Sequence, residues 1–136
     1  MKPTQVDIRV YWDQIKPGLK EIRDSGNPGW RLEDIYVAVS TGVAELWLDL
    51  EEDPIESFMI WQEKNDDFMP YKNLLLWVAY CKQEKGADKY EDTILKVAKE
   101  RGCKKIEIWT SFTPVAMYAQ AKGYRQKMII LEKEIT

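Results

Sequence analysis

Val6, Ile8 and Val10 alternate with polar neighbours, a period of two that predicts an opening strand. The period then changes. Trp12, Ile15, Leu19 and Ile22 recur at helical spacing, and Pro17 within that stretch fits only a first helical turn or a break. A loop is expected at Ser25-Gly26-Asn27-Pro28-Gly29, followed by a second amphipathic helix carrying Leu32, Ile35, Tyr36 and Val39 and ended by Gly42. Ala44, Leu46, Leu48 and Leu50 alternate with Glu45, Trp47 and Asp49. They predict a strand that pairs through a turn at residues 51–54 with a second strand from Ile55 to Gln62.

After a polar loop at 65–70, the unbroken run Leu74 to Tyr80 has the character of a central strand covered on both faces. Tyr90, Ile94, Val97 and Ala98 mark a helix over 88–101, stopped by Arg101-Gly102, and Ile106 and Ile108 begin another strand over 105–110. Thr113-Pro114 opens a last helix, Gly123 closes it, and Tyr124 to Ile135 is expected as a final strand. The order is β-α-α-β-β-β-α-β-α-β. The strand at 74–80, the helix at 88–101 and the strand at 105–110 form one βαβ unit, so those two strands should run parallel in an otherwise mixed sheet.

Composition narrows the function classes. The 136 residues fit one domain, 1–136, and the 45% hydrophobic and 32% charged content is globular. A net charge of −3 gives no general attraction to nucleic acid or anionic lipid. No apolar run is long enough to span a bilayer, and Met1 to Gln5 has no signal-peptide character, so a soluble cytoplasmic protein is expected. Cys81 and Cys103 fit a reducing compartment as buried free thiols. The chain has no histidine, which excludes a Ser-His or Cys-His nucleophile and a histidine-ligated metal; no metal site is expected.

Gln83-Glu84-Lys85-Gly86-Ala87-Asp88, following the apolar strand and opening a helix, resembles the pyrophosphate loop of the GNAT acetyltransferases. In that family the loop reads Gln/Arg-x-x-Gly-x-Gly/Ala, and Asp88 stands where a small residue belongs. Free amides at a helix N-terminus attract phosphate, which is the physical basis of the motif. Ala116 to Tyr124 is similar to the family's last helix and its Gly-Tyr junction, with Ala119 at the position of the tyrosine that protonates the departing thiolate and Tyr118 one residue earlier. The Gly-Cys-Lys-Lys-Ile-Glu-Ile run at 102–108 further resembles small GNAT-like proteins of tailed bacteriophages, which would place the chain in a host cytoplasm or a virion.

The resemblance implies an α/β acyl-CoA N-acyltransferase-like fold, a mixed sheet with helices on both faces. It implies acetyl-CoA held by Trp77, Val78, Gln83, Lys85, Gly86, Ala87 and Asp88, with Tyr118 as the remaining proton donor and a small-molecule or protein amine as acceptor. Two readings stay open: an N-acetyltransferase, or a non-catalytic module of the same fold that binds a phage or host protein. The residues also carry plainer readings. Asp88-x-x-Glu91 has the form of a capping box, which would turn the Asp88 carboxylate onto the helix amides. Glu45, Glu56, Glu63 and Glu107 are candidate general bases or solvated strand residues. Trp47, Trp77 and Trp109 are expected in the core, and Trp12 and Trp30 either pack there or line an acceptor cleft.

Overall fold

The structure, a computed structural model, describes residues 3–26, 29–83 and 86–136. Asn27 and Pro28 of the first loop, and Glu84 and Lys85 of the Gln83–Asp88 loop, lie outside the described residues. Nine elements follow in the order β1 (Thr4–Val6), α1 (Ile8–Gly26), α2 (Leu32–Ser40), β2 (Glu45–Leu48), β3 (Ser57–Asn65), β4 (Lys72–Cys81), α3 (Ala87–Glu100), β5 (Ile106–Ile108) and α4 (Thr113–Ala121).

The sheet order is β1-β2-β3-β4-β5, antiparallel throughout except for the parallel β4–β5 pair. That pair is the outcome expected of the βαβ unit. Alternation along β3 divides the core between two faces. Phe58 and Ile60 join Ile8, Ile15, Leu19 and Ile35 beneath α1 and α2. Met59 and Trp61 join Tyr90, Ile94, Val97 and Ala98 beneath α3. β4 lies between its two neighbours with Leu74 and Leu75 almost wholly buried, as an apolar run covered on both sides should be.

Three expectations are corrected. The first strand ends at Val6, and Ile8 and Val10 are helical: Ile8, Ile15 and Leu19 are buried at helical spacing while Val10 faces solvent. The Asp7 carboxylate accepts a hydrogen bond from the Arg9 amide at 2.9 Å and starts the helix there, so a short alternating run was outvoted by a long helical face. Pro17 lies inside α1 without ending it. The bond it cannot make would go to the carbonyl of Asp13, and both residues are exposed, so the missing bond falls on the solvent side of the helix. Finally, residues 124–136 form no strand and are almost entirely exposed. Both cysteines are free, as expected, but half-buried rather than buried.

Candidate functional site

The site grows from a fault in one ladder. Along β3–β4 the register is regular until Ile60 pairs with Val78 and Trp61 with Leu76, which leaves Trp77 as an extra residue. Such a bulge sends two successive side chains to the same face, and Trp77 and Val78 both pack on the α1/α2 side. It also resets which backbone groups point outward. Before the bulge, the amide of Leu74 and the carbonyl of Leu76 bond to β5, through Lys105 O at 2.9 Å and Trp109 N at 3.1 Å. Beyond it, Lys82 N bonds to Glu56 O on the β3 side, so the backbones of Lys82, Tyr80 and Val78 face β3. Those of Ala79 and Cys81 therefore face the other way. β5 stops at Ile108, and no described strand meets them there.

The two strands thus diverge, and a narrow cleft with a cavity of about 20 Å3 opens between them. Trp77, Ala79 and Trp109 line its strand walls, and Ser111 and Val115 close it from the loop into α4. Ile22 and Trp30 bring the end of α1 to the same place. Gly26 makes that approach possible: a Cβ there would lie 2.8 Å from the Ser111 hydroxyl. None of the described lining residues carries a charge, and Thr110 and Ser111 are the hydroxyl-bearing ones.

From the cleft, β4 leads to the N-terminus of α3. Gly86 is the N-cap, and among the described residues no side chain bonds to the first-turn amides. The capping box expected of Asp88 and Glu91 is absent for a positional reason. Asp88 is already inside the helix, where its side chain points outward rather than back over the amides. The Glu91 carboxylate accepts instead from the Tyr124 hydroxyl at 3.1 Å, and burial holds it above its ordinary pKa. The Gly86 amide donates to Gln83 O at 2.9 Å, and a Cβ on Gly86 would sit 3.1 Å from the Cys81 sulfur, so a larger residue would push the loop off the end of β4.

Asp88 has two partners of its own. The Tyr118 hydroxyl donates to its carboxylate at 2.5 Å and Lys122 lies 3.1 Å away, which together hold Asp88 below its ordinary pKa. Desolvation first, then the bond to Asp88, pushes the Tyr118 hydroxyl far above its usual range, so it is protonated at neutral pH. Tyr118 is one helical turn from Val115, so α4 links the cleft to the start of α3. Ala119, where the GNAT resemblance would place a tyrosine, is buried.

No family model and no curated protein matches this chain. Solved structures do. The chain superposes on a ribosomal-protein-alanine N-acetyltransferase from Brucella melitensis biovar Abortus 2308 with a TM-score of 0.72 and 12% identity, over 98% of this chain and 100% of that one. An aminoglycoside N-acetyltransferase in complex with CoA gives 0.69 and 14%, over 99% and 100%. An aminoglycoside acetyltransferase from an uncultured soil metagenomic sample, in complex with sisomicin, gives 0.71 and 8%, over 99% and 95%. The chain has the GNAT acetyltransferase fold. At these identities the likeness is one of fold.

Within that fold the candidate residues fall into two groups. Trp77 and Val78 lie at the bulge, and Gln83, Gly86, Ala87 and Asp88 follow one another onto α3, with Tyr118 reaching Asp88 from α4; Lys85 is outside the described residues. The four glutamates are engaged elsewhere. Glu45 is clamped by Arg101 at 2.5 and 2.8 Å, and Glu63 by Lys72 at 2.7 Å. Glu56 lies 3.9 Å from Lys82, and Glu107 accepts from Asn73 and Trp109. Trp109, expected in the core, is 52% exposed at the cleft rim because β5 is an edge strand. Trp61 is fully buried, and Trp30 lines the cleft. Sequence reasoning missed the Ala79 backbone and Lys122. Nothing in an alanine announces an unpaired peptide, whereas the i, i+4 spacing of Tyr118 and Lys122 was a readable signal.

Proposed function

We propose that this protein is an acyl-CoA-dependent N-acyltransferase that passes an acetyl group from acetyl-CoA to an amine. One observation carries the reading: the outward backbone of Ala79 and Cys81 lies beyond the Trp77 bulge, and α3 follows with amides at Ala87 and Asp88 that no described side chain caps. An unpaired peptide edge suits the amide-bearing arm of CoA, and helix N-terminal amides suit its pyrophosphate. Trp77 and Val78 would flank the arm. Gln83, Lys85, Gly86, Ala87 and Lys122 would surround the pyrophosphate, with the Asp88 charge drawn aside by Tyr118 and Lys122.

Bound acetyl-CoA supplies a thioester already activated toward amines. The cleft walls exclude water and hold the acceptor by apolar contact with Trp30, Trp77 and Trp109. With no carboxylate among the described lining residues, the amine arrives neutral or gives its proton to water. Tyr118, protonated at neutral pH, would return a proton to the departing sulfur. The test is release of free CoA thiol in the presence of a panel of primary amines, small molecules and peptide N-termini. Thiol release that depends on the amine is expected, and Tyr118→Phe should lower kcat by about a hundredfold. Hydrolysis alone, or no release with any acceptor, contradicts transfer.

A second reading, a non-catalytic binding module on the same fold, is favoured by two features: the Tyr118 hydroxyl is already engaged by Asp88, and the family's tyrosine position is a buried alanine. CoA binding without turnover would select it. A narrower place among phage-encoded proteins rests on the Gly102–Ile108 run alone.

A further inference from the structure

Among the described residues three polar side chains are buried, and two of them, Asp49 and Ser57, lie at the two ends of the connection from β2 to β3, away from the cleft. Asp49 is only 6% exposed, and a carboxylate that deep needs partners. It accepts hydrogen bonds from the Glu51 amide at 3.0 Å and from Lys89 Nζ at 2.9 Å. Glu52 takes the same ammonium at 3.3 Å. It also folds the connection onto itself, accepting from the Glu56 amide at 2.6 Å and the Ser57 hydroxyl at 3.0 Å. Tyr90 completes the set. Its hydroxyl donates to Ser57 O at 3.0 Å and accepts from the Asp49 amide at 3.3 Å.

Lys89 and Tyr90 are the third and fourth residues of α3, so both stand in its first turn. A lysine there opposes the helix dipole and gains nothing from its own helix. Its partners lie 40 and 37 residues back in the chain. Farther along α3, Ile94, Val97 and Ala98 pack into the core, and apolar contact has no preferred direction. Those residues hold α3 against the sheet without fixing how far it slides or turns on its axis. The bonds of Lys89 and Tyr90 do fix that, because each requires its own distance and angle. Immediately before them come the amides of Ala87 and Asp88.

We infer that Lys89 and Tyr90, gripped by Asp49, Glu52 and Ser57, are positioning residues that set the place of the Ala87 and Asp88 amides for the pyrophosphate of the acyl donor. The inference rests on the acyl-CoA reading above. Lys89 acts through the helix, since its ammonium is taken up by two carboxylates of the β2–β3 connection. Displacing a binding group by a fraction of an ångström to an ångström is enough to weaken what it holds.

Two acyl donors separate the two ends of the site. Acetyl-CoA carries the pyrophosphate, and acetyl-pantetheine ends before it. Titrations followed by amide chemical shifts are expected to show the native chain binding acetyl-CoA more tightly. Tyr90→Phe keeps the ring, the charge and the core packing, and removes the two hydroxyl bonds. It should weaken acetyl-CoA by about threefold to tenfold and leave acetyl-pantetheine unchanged. Lys89→Met should weaken acetyl-CoA further, and Lys89→Arg, which keeps the cation, should recover most of that loss. Because Lys89→Met strands two carboxylates and endangers the fold, Tyr90→Phe decides. A general loss of stability would not divide the two donors. Variants that bind acetyl-CoA as the native chain does, or that lose both donors equally, would overturn the inference and leave the acyl-CoA reading standing. A native chain that binds neither donor would overturn that reading, and the inference with it.

Discussion

Gly18 shows how a single side chain is decided by its surroundings. In an isolated helix alanine would be favoured there by up to about 1 kcal/mol. A Cβ at Gly18, however, would lie 2.8 Å from the Tyr80 ring and 2.9 Å from the Phe58 ring, and Phe58, only 1% exposed, has no room to give. Overpacking of this kind costs roughly 1–3 kcal/mol, and the net effect of Gly18→Ala is expected to be a loss of about 1–2 kcal/mol, read as a lower midpoint in urea. Asp66 is the clearest titration marker. Its carboxylate accepts from Asn73 and from the amides of Phe68 and Met69, which lowers its pKa from 3.8 to about 2. A depressed carboxylate contributes stability above its unfolded value and loses it as pH falls through the folded one, so the Asp66 contribution fades between about 4 and about 2. A chemical-shift titration should find its midpoint near 2, and Asp66→Asn should flatten that part of the acid limb. At this scale the candidate site was half legible. Gly86 and Asp88 announced a helix start, but the Tyr118–Asp88 bond joins residues thirty apart, and only the docking of α4 beside α3 brings them together.

Among the elements, the β4 bulge matters most. The apolar run at 74–80 announced a buried strand, and the strand is there, but an extra residue in a uniformly hydrophobic segment leaves no mark in the pattern. The same limit applies at the first helix, where three alternating residues imitate a strand, and at 124–136, whose strand-like sequence pairs with no described strand. The C-terminal end of α3 carries its own prediction. Arg101 bridges to Glu45 of β2 and lies 3.5 Å from Glu63 of β3. Burial raises the Glu45 pKa, but the bonds from Arg101 and Trp47 more than offset it and hold the carboxyl below its ordinary value. Arg101→Met leaves Glu45 partly buried without its cation, so a loss of roughly 1–3 kcal/mol is expected. The Glu45 carboxyl should move above its ordinary value, and both changes are measurable by denaturation and by carboxyl titration.

Across the whole molecule, the bulge, the cleft and the start of α3 lie on one path, and the account stands or falls on whether CoA occupies it. The absence of charge among the described cleft residues gives a kinetic expectation: kcat/KM should rise with pH along the ionisation of the acceptor amine itself, with no inflection from an enzyme base. An inflection that stays fixed when the amine is changed would contradict this. Gly86→Val tests the pyrophosphate end. Its side chain meets Cys81, and it should weaken CoA by about tenfold or more while leaving the fold intact by circular dichroism. The most direct measurement is a calorimetric titration of the native chain with acetyl-CoA and with CoA, paired with melting curves. One-to-one binding is expected, with a stabilisation of about 2.7 kcal/mol when ligand reaches a hundred times its dissociation constant, and Gly86→Val should diminish both. No heat and no melting shift with either ligand would contradict the central claim.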